Sequence, residues 1–253
     1  MPPGLNAPLF VGLGFLPSVV WLAFFLKRDL HPEPKYLITR TFLMGMILSP
    51  LAVGLQWAFV GIGQKLYPQI FSFDSLHFFL WAALVEEIVK FLAIRFIVLN
   101  DPEFDEPVDA MIYMITASLG FAAIENILIL FKSAPDGLDN TLQLWALRSV
   151  GATPLHALAG ALTGYFLAMA WFYHGHQKKL IAIGIILAGL FHFTFNILLF
   201  SFEESPAGLL YSWLWLIVLA ILIQILFHKI RGRAATRLSA WTGTVLPEKL
   251  PSQ

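Results

Sequence analysis

Two adjacent carboxylates and a lysine lie inside the long apolar run LVEEIVKF, where charged groups need a partner or a function. Lys90 follows Glu86 by four residues and Glu87 by three, so it can neutralise only one of them. The orientation rule for i,i+4 pairs favours Glu86 as the partner of Lys90, which would leave Glu87 as the free carboxylate. A purely structural alternative is a buried salt bridge beside an uncharged carboxyl group.

A third carboxylate occurs in a second apolar run, GFAAIEN. Glu125 has no basic residue within one turn of its own segment, so its partner must come from another one. Asn126 follows it directly and adds a neutral amide. The preceding Gly120 lets a neighbouring helix come close to this segment.

Two histidines lie in later apolar runs. His156 shares a helix face with Gly160 and Gly164, a small-residue strip that lets another backbone approach. His192 and Asn196 are four residues apart in FHFTFN and share a face, so they offer a titratable group beside a neutral donor. The alternative for His156 is a hydrogen-bonded core residue above a packing strip.

These residue types suit the activation of water rather than attack by a side chain. The chain has no cysteine, no G-x-S-x-G elbow and no H-E-x-x-H zinc helix. No G-x-D pair lies within an apolar run, which excludes an intramembrane aspartyl pair. A carboxylate base with histidine and asparagine stabilising an oxyanion would fit hydrolysis of a peptide bond.

The elements that carry these residues are predicted to be transmembrane helices. Of 253 residues, 58% are hydrophobic and only 13% are charged, about half the usual charged share of a soluble domain. A bilayer core takes roughly 20 apolar residues per helix. The sequence therefore predicts an all-α, polytopic bundle of about seven spans in the cell membrane. The predicted spans are 8–26, 38–62, 75–99, 108–131, 150–173, 180–200 and 209–228.

Lysine and arginine concentrate on alternate loops, which predicts an N-terminus outside and a C-terminus in the cytoplasm. The basic residues of the predicted cytoplasmic side are Lys27, Arg28, Lys35, Arg40, Lys178, Lys179, Lys229, Arg231, Arg233 and Arg237. Residues 1–230 would form the catalytic bundle, and 231–253 a short, basic, poorly ordered tail. With zero net charge, the chain is not expected to bind nucleic acid.

Depth in the membrane tests whether the polar residues belong to one site. At about 1.5 Å per residue, Glu125, His156 and His192 would lie roughly 9–12 Å below the outer boundary, and Glu86 roughly 16 Å. We therefore expect them to converge in the outer half of the bilayer.

Three motifs in this order resemble the PrsW family of intramembrane proteases. They are E-E-x-x-K from Glu86, F-x-x-x-E from Phe121 and H-x-x-x-N from His192. The segments DLHPEP and EPVDAMIY, and His156 with its glycines, also look like that family. The resemblance covers the chain from about the first predicted span to the sixth.

The PrsW family is related to the CAAX-prenyl endoproteases, which are regarded as glutamic-type enzymes. The resemblance implies that Glu86 is the water-activating base, supported by Glu87 through Lys90. It implies that His192 and Asn196 bind the oxyanion. Glu125 stands where the CAAX enzymes carry a histidine, which leaves open whether it activates water jointly with Glu86. Resemblance and the i,i+4 rule thus disagree on the base.

The implied activity is endopeptidase cleavage of a membrane-anchored protein or peptide within the lipid bilayer. A membrane-anchored anti-sigma factor is one possible substrate, since the family includes a protease that trims such a protein. We predict no cofactor for this mechanism.

Three other functions remain open from the residues alone. A metalloprotease would bind zinc through His156, His192 and Glu125. A transporter would use the buried glutamates as a proton relay, although the sequence shows no inverted repeat. A haem protein would use the two histidines as axial ligands.

Overall fold

The computed structural model describes residues 7–27, 31–201 and 206–242. The chain is 86% helical, and its described part contains no strand, which confirms the all-α prediction. Arg28, the first two residues of DLHPEP and the tail residues 243–253 lie outside the described residues. The described residues form eight α-helices, which are α1 (Ala7–Leu26), α2 (Lys35–Gly63), α3 (Leu76–Ile97), α4 (Asp109–Ser133), α5 (Leu138–Val150), α6 (Ala152–Phe172), α7 (Gln177–Ser201) and α8 (Pro206–Thr242).

Six helical segments of the described chain are long and apolar enough to cross a membrane. They are Ala7–Leu26, Lys35–Gly63, Asp109–Asp136, Leu138–Phe172, Gln177–Ser201 and Ala207–Arg233. The remaining predicted span corresponds to α3, whose 22 residues reach about 33 Å at the helical rise. Glu86, Glu87 and Lys90 lower its apolar character, so the count of seven stays a prediction, as does the orientation.

The predicted fifth span, 150–173, is observed as α6, but the connection before it contains a helix that was not predicted. A separate helix, α5, precedes α6, and Gly151 interrupts the two with φ −110° and ψ −82°. A continuous helix would lack one hydrogen bond here, because Pro154 has no N–H to donate to the carbonyl of Val150. The break places the end of α5 beside α4, so side chains of α5 can contact those of α4.

The last helix also continues further than predicted. α8 runs to Thr242, so residues 231–242 of the expected tail are helical. The hydrophobicity ends near residue 230, but alanine and arginine, which follow, are good helix formers. The loss of hydrophobicity therefore marks where the apolar segment ends and not where the helix ends.

The two most buried helices, α4 and α6, pack against each other at the centre of the bundle. A Cβ atom at Gly164 would lie 2.6 Å from the carbonyl oxygen of Ala110, and one at Gly160 would lie 2.9 Å from that of Met114. Gly120 faces the carbonyl of Phe42 on α2 in the same way. The predicted close approaches at all three glycines are confirmed, and α3 packs beside this centre between α2 and α7.

Candidate active site

Four helices bring the charged residues of the apolar segments into one buried cluster, as the depth argument predicted. The cluster, which we call the polar cluster, consists of Glu86, Glu87 and Lys90 from α3, Glu125 from α4, His156 from α6 and His192 from α7. The rings of His156 and His192 meet edge to face with their centroids 5.1 Å apart.

Lys90 pairs with Glu87, so the expectation from the i,i+4 rule is wrong. The Lys90 ammonium donates to Glu87 Oε1 over 2.6 Å, and both side chains are fully buried. The same ammonium lies 2.8 Å from His156 Nδ1 and 5.0 Å from the ring centre of Phe121. These partners on α4 and α6 hold Lys90 on the side of α3 where Glu87 lies.

Glu86 points elsewhere and lacks a lysine or arginine partner within the described residues. Its Oε1 accepts a hydrogen bond of 2.9 Å from the amide of Gln56 on α2. Its Oε2 is buried, makes no hydrogen bond to a described residue, and lies 3.7 Å from His192 Nε2. That separation is too long for a direct hydrogen bond and suits a water molecule that contacts both atoms.

His192 is oriented by the neighbouring glutamate. Its Nδ1 lies 3.1 Å from Glu87 Oε1, an atom that can only accept while the carboxylate is ionised. A neutral His192 ring therefore carries its proton on Nδ1 and donates this N–H to Glu87 Oε1. Its Nε2 then keeps a lone pair that can accept a hydrogen bond. This nitrogen faces Glu86.

Glu125 finds its partners on other helices, which confirms that part of the sequence prediction. Its carboxylate lies 3.2 Å from Arg148 Nη2 of α5 and 2.6 Å from His156 Nε2. Asn126 accepts a 2.8 Å hydrogen bond from Arg148 Nε and donates one of 3.0 Å to the hydroxyl of Thr153. Asn126 thus ties the end of α5 to the start of α6.

Both ring nitrogens of His156 face polar partners. The ammonium of Lys90 donates to Nδ1, which leaves the proton on Nε2 to face Glu125. Neither nitrogen is left for a haem iron, so this arrangement speaks against the haem alternative.

The charges of the cluster are not balanced. It contains three carboxylates and one permanent cation, Lys90, and the guanidinium of Arg148 on α5 adjoins it at Glu125. Lys90 takes Glu87 and Arg148 takes Glu125, so Glu86 carries the uncompensated charge. The side chain of Glu125 is 27% exposed and that of Glu87 is 0% exposed, so the cluster meets the surface at the Glu125 end.

Asn196 lies apart from these contacts. It is half-buried on α7, one turn after His192. No hydrogen bond or ion pair among the described residues joins it to the polar cluster. Its predicted role would therefore require a substrate group placed between it and His192.

Two partners in the site were not among the predicted site residues. Gln56 is an amide within the apolar run LQWAFV. A single polar residue in such a run is a pattern from which a site residue can be predicted. Arg148 lies between the predicted spans 108–131 and 150–173, and the helix α5 that carries it was not predicted.

Three donor atoms in the described chain lie close enough to share a metal ion. They belong to Glu86, His156 and His192, and all lie within 4.8 Å of one another. The zinc alternative from the sequence had Glu125 in place of Glu86. In the structure the carboxylate of Glu125 is paired with Arg148.

Comparisons with known proteins give one consistent result. The model of a family described as "PrsW family intramembrane metalloprotease" matches residues 33–223, which include every residue of the polar cluster. A Protease PrsW of Oceanobacillus iheyensis is 32% identical over 76% of this chain and 83% of its own length. That of Geobacillus kaustophilus is 30% identical over 77% and 81%. That of Bacillus subtilis is 27% identical over 75% and 82%. No solved structure matches the chain.

Proposed function

The chain belongs to the PrsW family of intramembrane proteases, and from that premise we propose that it cleaves membrane-anchored proteins with water activated by Glu86. Membership of the family makes it a multi-pass membrane protease. It also removes the reason to consider a proton-coupled transporter. The mechanism and the substrate are the parts that we propose.

One observation carries the mechanism: Glu86 Oε2 is buried, without a hydrogen-bond partner among the described residues, and faces His192 Nε2 across 3.7 Å. A buried carboxylate oxygen that accepts no hydrogen bond destabilises the fold, unless a water molecule or a substrate group donates to it. A water between these atoms can donate one proton to each. The position is therefore suited to hold the attacking water in a fixed orientation.

In the proposed reaction Glu86 acts first as a base and then as an acid. It takes a proton from the water as the water oxygen bonds to the scissile carbonyl carbon, and the carbonyl electrons move to the carbonyl oxygen. The tetrahedral intermediate then re-forms its carbonyl as the C–N bond breaks. The leaving nitrogen takes the proton from Glu86, which restores the carboxylate.

The other residues of the cluster position this pair. Glu87 accepts a hydrogen bond from Nδ1 of His192, and the ion pair with Lys90 keeps Glu87 in position. The amide of Asn196, one turn along α7, can donate to the developing oxyanion. This differs from the role that the resemblance implies for His192, since Nε2 of a neutral ring accepts rather than donates.

Glu125 and His156 support the site at its more exposed end. Arg148 compensates the charge of Glu125, so this carboxylate is less available as a base than Glu86. The contact of His156 with Lys90 links that end to Glu87. We therefore assign both residues to the support of the cluster rather than to attack on the substrate.

The position of the cluster in apolar helices indicates the class of substrate. Because Glu86 lies in the middle of an apolar helix, we expect its substrate to be a peptide bond of a membrane-anchored protein. A membrane-anchored anti-sigma factor is the candidate that the family resemblance implies.

A metal-dependent mechanism is the second candidate, favoured by the donor atoms of Glu86, His156 and His192. Two histidines and a glutamate form a known ligand set of catalytic zinc, which would polarise the carbonyl or ionise a bound water. The fit is poor in the observed arrangement, because Lys90 faces one nitrogen of His156 and Glu125 faces the other. We therefore place the metal-free mechanism first.

A membrane-anchored reporter with a tag at each end tests the proposed activity in cells. We expect the wild-type chain to cleave it and Glu86→Gln, Glu87→Gln and His192→Ala each to abolish cleavage, while all four proteins insert in equal amounts. Glu103→Gln makes the same chemical change on an exposed loop residue and is the matched control. Cleavage retained in all three site variants would contradict the proposal.

Elemental analysis of the purified protein separates the two mechanisms. The metal-free mechanism predicts no stoichiometric metal and full activity after treatment with a chelator. One bound zinc per chain that is lost in His156→Ala, together with inactivation by the chelator, would establish the second candidate instead.

A further inference from the structure

An apolar groove of about 340 Å³ lies between α1 and α8, with residues of α4 and α6 lining it as well. Pro154 and Leu158 of α6 contribute to it. They lie two residues before and after His156, which is about 200° around the helix. The groove and the polar cluster are therefore on opposite sides of α6, and the groove does not belong to the proposed catalytic site.

The groove is elongated and has one basic end. Its lining on α8 extends from Leu216 to Arg231, which is about 22 Å along the helix axis and more than half of a bilayer core of about 30 Å. At the Arg231 end the lining also includes Phe25, next to the end of α1, and Ile112, near the start of α4. Arg231 thus lies where the apolar parts of three helices end.

The polar residues of the lining are arranged along one line. Gln224 precedes Arg231 by seven residues, so the two share a face of α8 about 10 Å apart along the axis. The rest of the lining is apolar or aromatic, apart from the indole N–H of Trp21, which donates to the carbonyl of Ser149 over 2.8 Å. Such a groove suits a long apolar ligand with an anionic group at one end and a hydrogen-bond acceptor below it.

The length and the apolar lining of the groove suit a single acyl chain. Guanidinium groups bind phosphate through paired hydrogen bonds.

We propose that this groove binds an anionic phospholipid, with one acyl chain between α1 and α8 and the headgroup phosphate on Arg231. The amide Nε2 of Gln224 lies 3.3 Å from His228 Nε2, and in the lipid complex it would donate to an ester carbonyl instead. By the predicted orientation, the lipid belongs to the cytoplasmic leaflet, where basic residues next to a span meet anionic headgroups.

Native mass spectrometry of the purified full chain with added phosphatidylglycerol tests the proposal without any need for proteolysis. We expect wild type to retain one phosphatidylglycerol in preference to phosphatidylcholine. Arg231→Gln should weaken this retention about fivefold, the fold-change for the loss of about 1 kcal/mol per basic residue at a membrane surface. Lys229→Gln is the matched control, since Lys229 is exposed and does not line the groove.

A second variant tests the groove itself. Ala220→Trp fills the middle of the groove and should abolish retention while thermal unfolding stays close to that of wild type. Equal losses in Arg231→Gln and Lys229→Gln would mean that lipid adheres to the basic end without a specific site. Full retention in Ala220→Trp would likewise overturn the proposal, as would loss of reporter cleavage in that variant with lipid retention unchanged, which would indicate a substrate in the groove.

Discussion

At the scale of single residues, two neighbouring glutamates have different environments. Consecutive residues of a helix point about 100° apart, so Glu86 reaches Gln56 on α2 while Glu87 reaches His192 on α7. Glu87 also takes the charge of Lys90. Both glutamates keep one buried oxygen without a hydrogen-bond partner among the described residues, but Glu86 alone of the two lacks a lysine or arginine partner there.

Replacement of Lys90 tests whether its pair with Glu87 organises the cluster. Lys90→Met should lower the free energy of unfolding by about 3–5 kcal/mol, because it leaves a buried carboxylate without its cation. The double variant Lys90→Met/Glu87→Gln should recover part of this loss. Unfolding in detergent micelles measures both, with the exposed Lys65→Met as the control. If the double variant is as unstable as the sum of the two single changes, the pair does not have this role.

At the scale of elements, the sequence allowed the helices and the members of the cluster to be predicted, but not how the members pair. Charge is scarce in the apolar runs, so Glu86, Glu125 and His192 could be identified one by one. Lys90 pairs with Glu87 while it also contacts His156 of α6. No local spacing rule includes a partner that is 66 residues away. Tertiary contacts decide such pairs.

The separate helix α5 is the second feature that was not predicted from the sequence. The predicted span 150–173 agrees with α6, but the predicted spans leave residues 132–149 as a connection, and α5 occupies most of it before the break at Gly151. The break brings Arg148 to Glu125 and Thr153 to Asn126. The helix α5, whose Arg148 compensates the charge of Glu125, could therefore be predicted only together with the turn at Gly151.

The contact between α4 and α6 gives a prediction at this scale. In Gly164→Ala the new Cβ would lie 2.6 Å from the Ala110 carbonyl, so the backbones must separate and the free energy of unfolding should fall by about 1–3 kcal/mol. Gly54→Ala is the matched control, because no atom lies within 4 Å of the Cβ it adds. Thermal unfolding of both in detergent would show the difference. Equal stability of the two variants would mean that this contact is not tightly constrained.

At the scale of the whole molecule, the orientation in the membrane remains a prediction from the distribution of lysine and arginine. The absence of cysteine makes it testable with single-cysteine variants. Glu103→Cys, before α4, should be protected from a membrane-impermeant maleimide in intact cells, and Asp136→Cys, after α4, should be labelled. Both should react after permeabilisation. The reverse pattern in intact cells would invert the predicted topology.

The whole bundle can be seen as an apolar support for one uncompensated carboxylate. Four helices hold the polar cluster, and the pairs made by Lys90 and Arg148 leave Glu86 as its carboxylate without a lysine or arginine partner in the described part of the chain. This arrangement is the basis of the proposed mechanism, and it depends on Glu86 more than on any other residue.

The most direct test is the rate of reporter cleavage by purified Glu86→Gln in proteoliposomes, compared with wild type and with Glu103→Gln. Glutamine keeps the size of the side chain and an acceptor for Gln56 but cannot take a proton from water. We expect a loss of about 10²–10⁴-fold in the rate for Glu86→Gln at unchanged thermal unfolding, with Glu103→Gln equal to wild type. A Glu86→Gln protein that cleaves at the wild-type rate would contradict the assignment of Glu86 as the base.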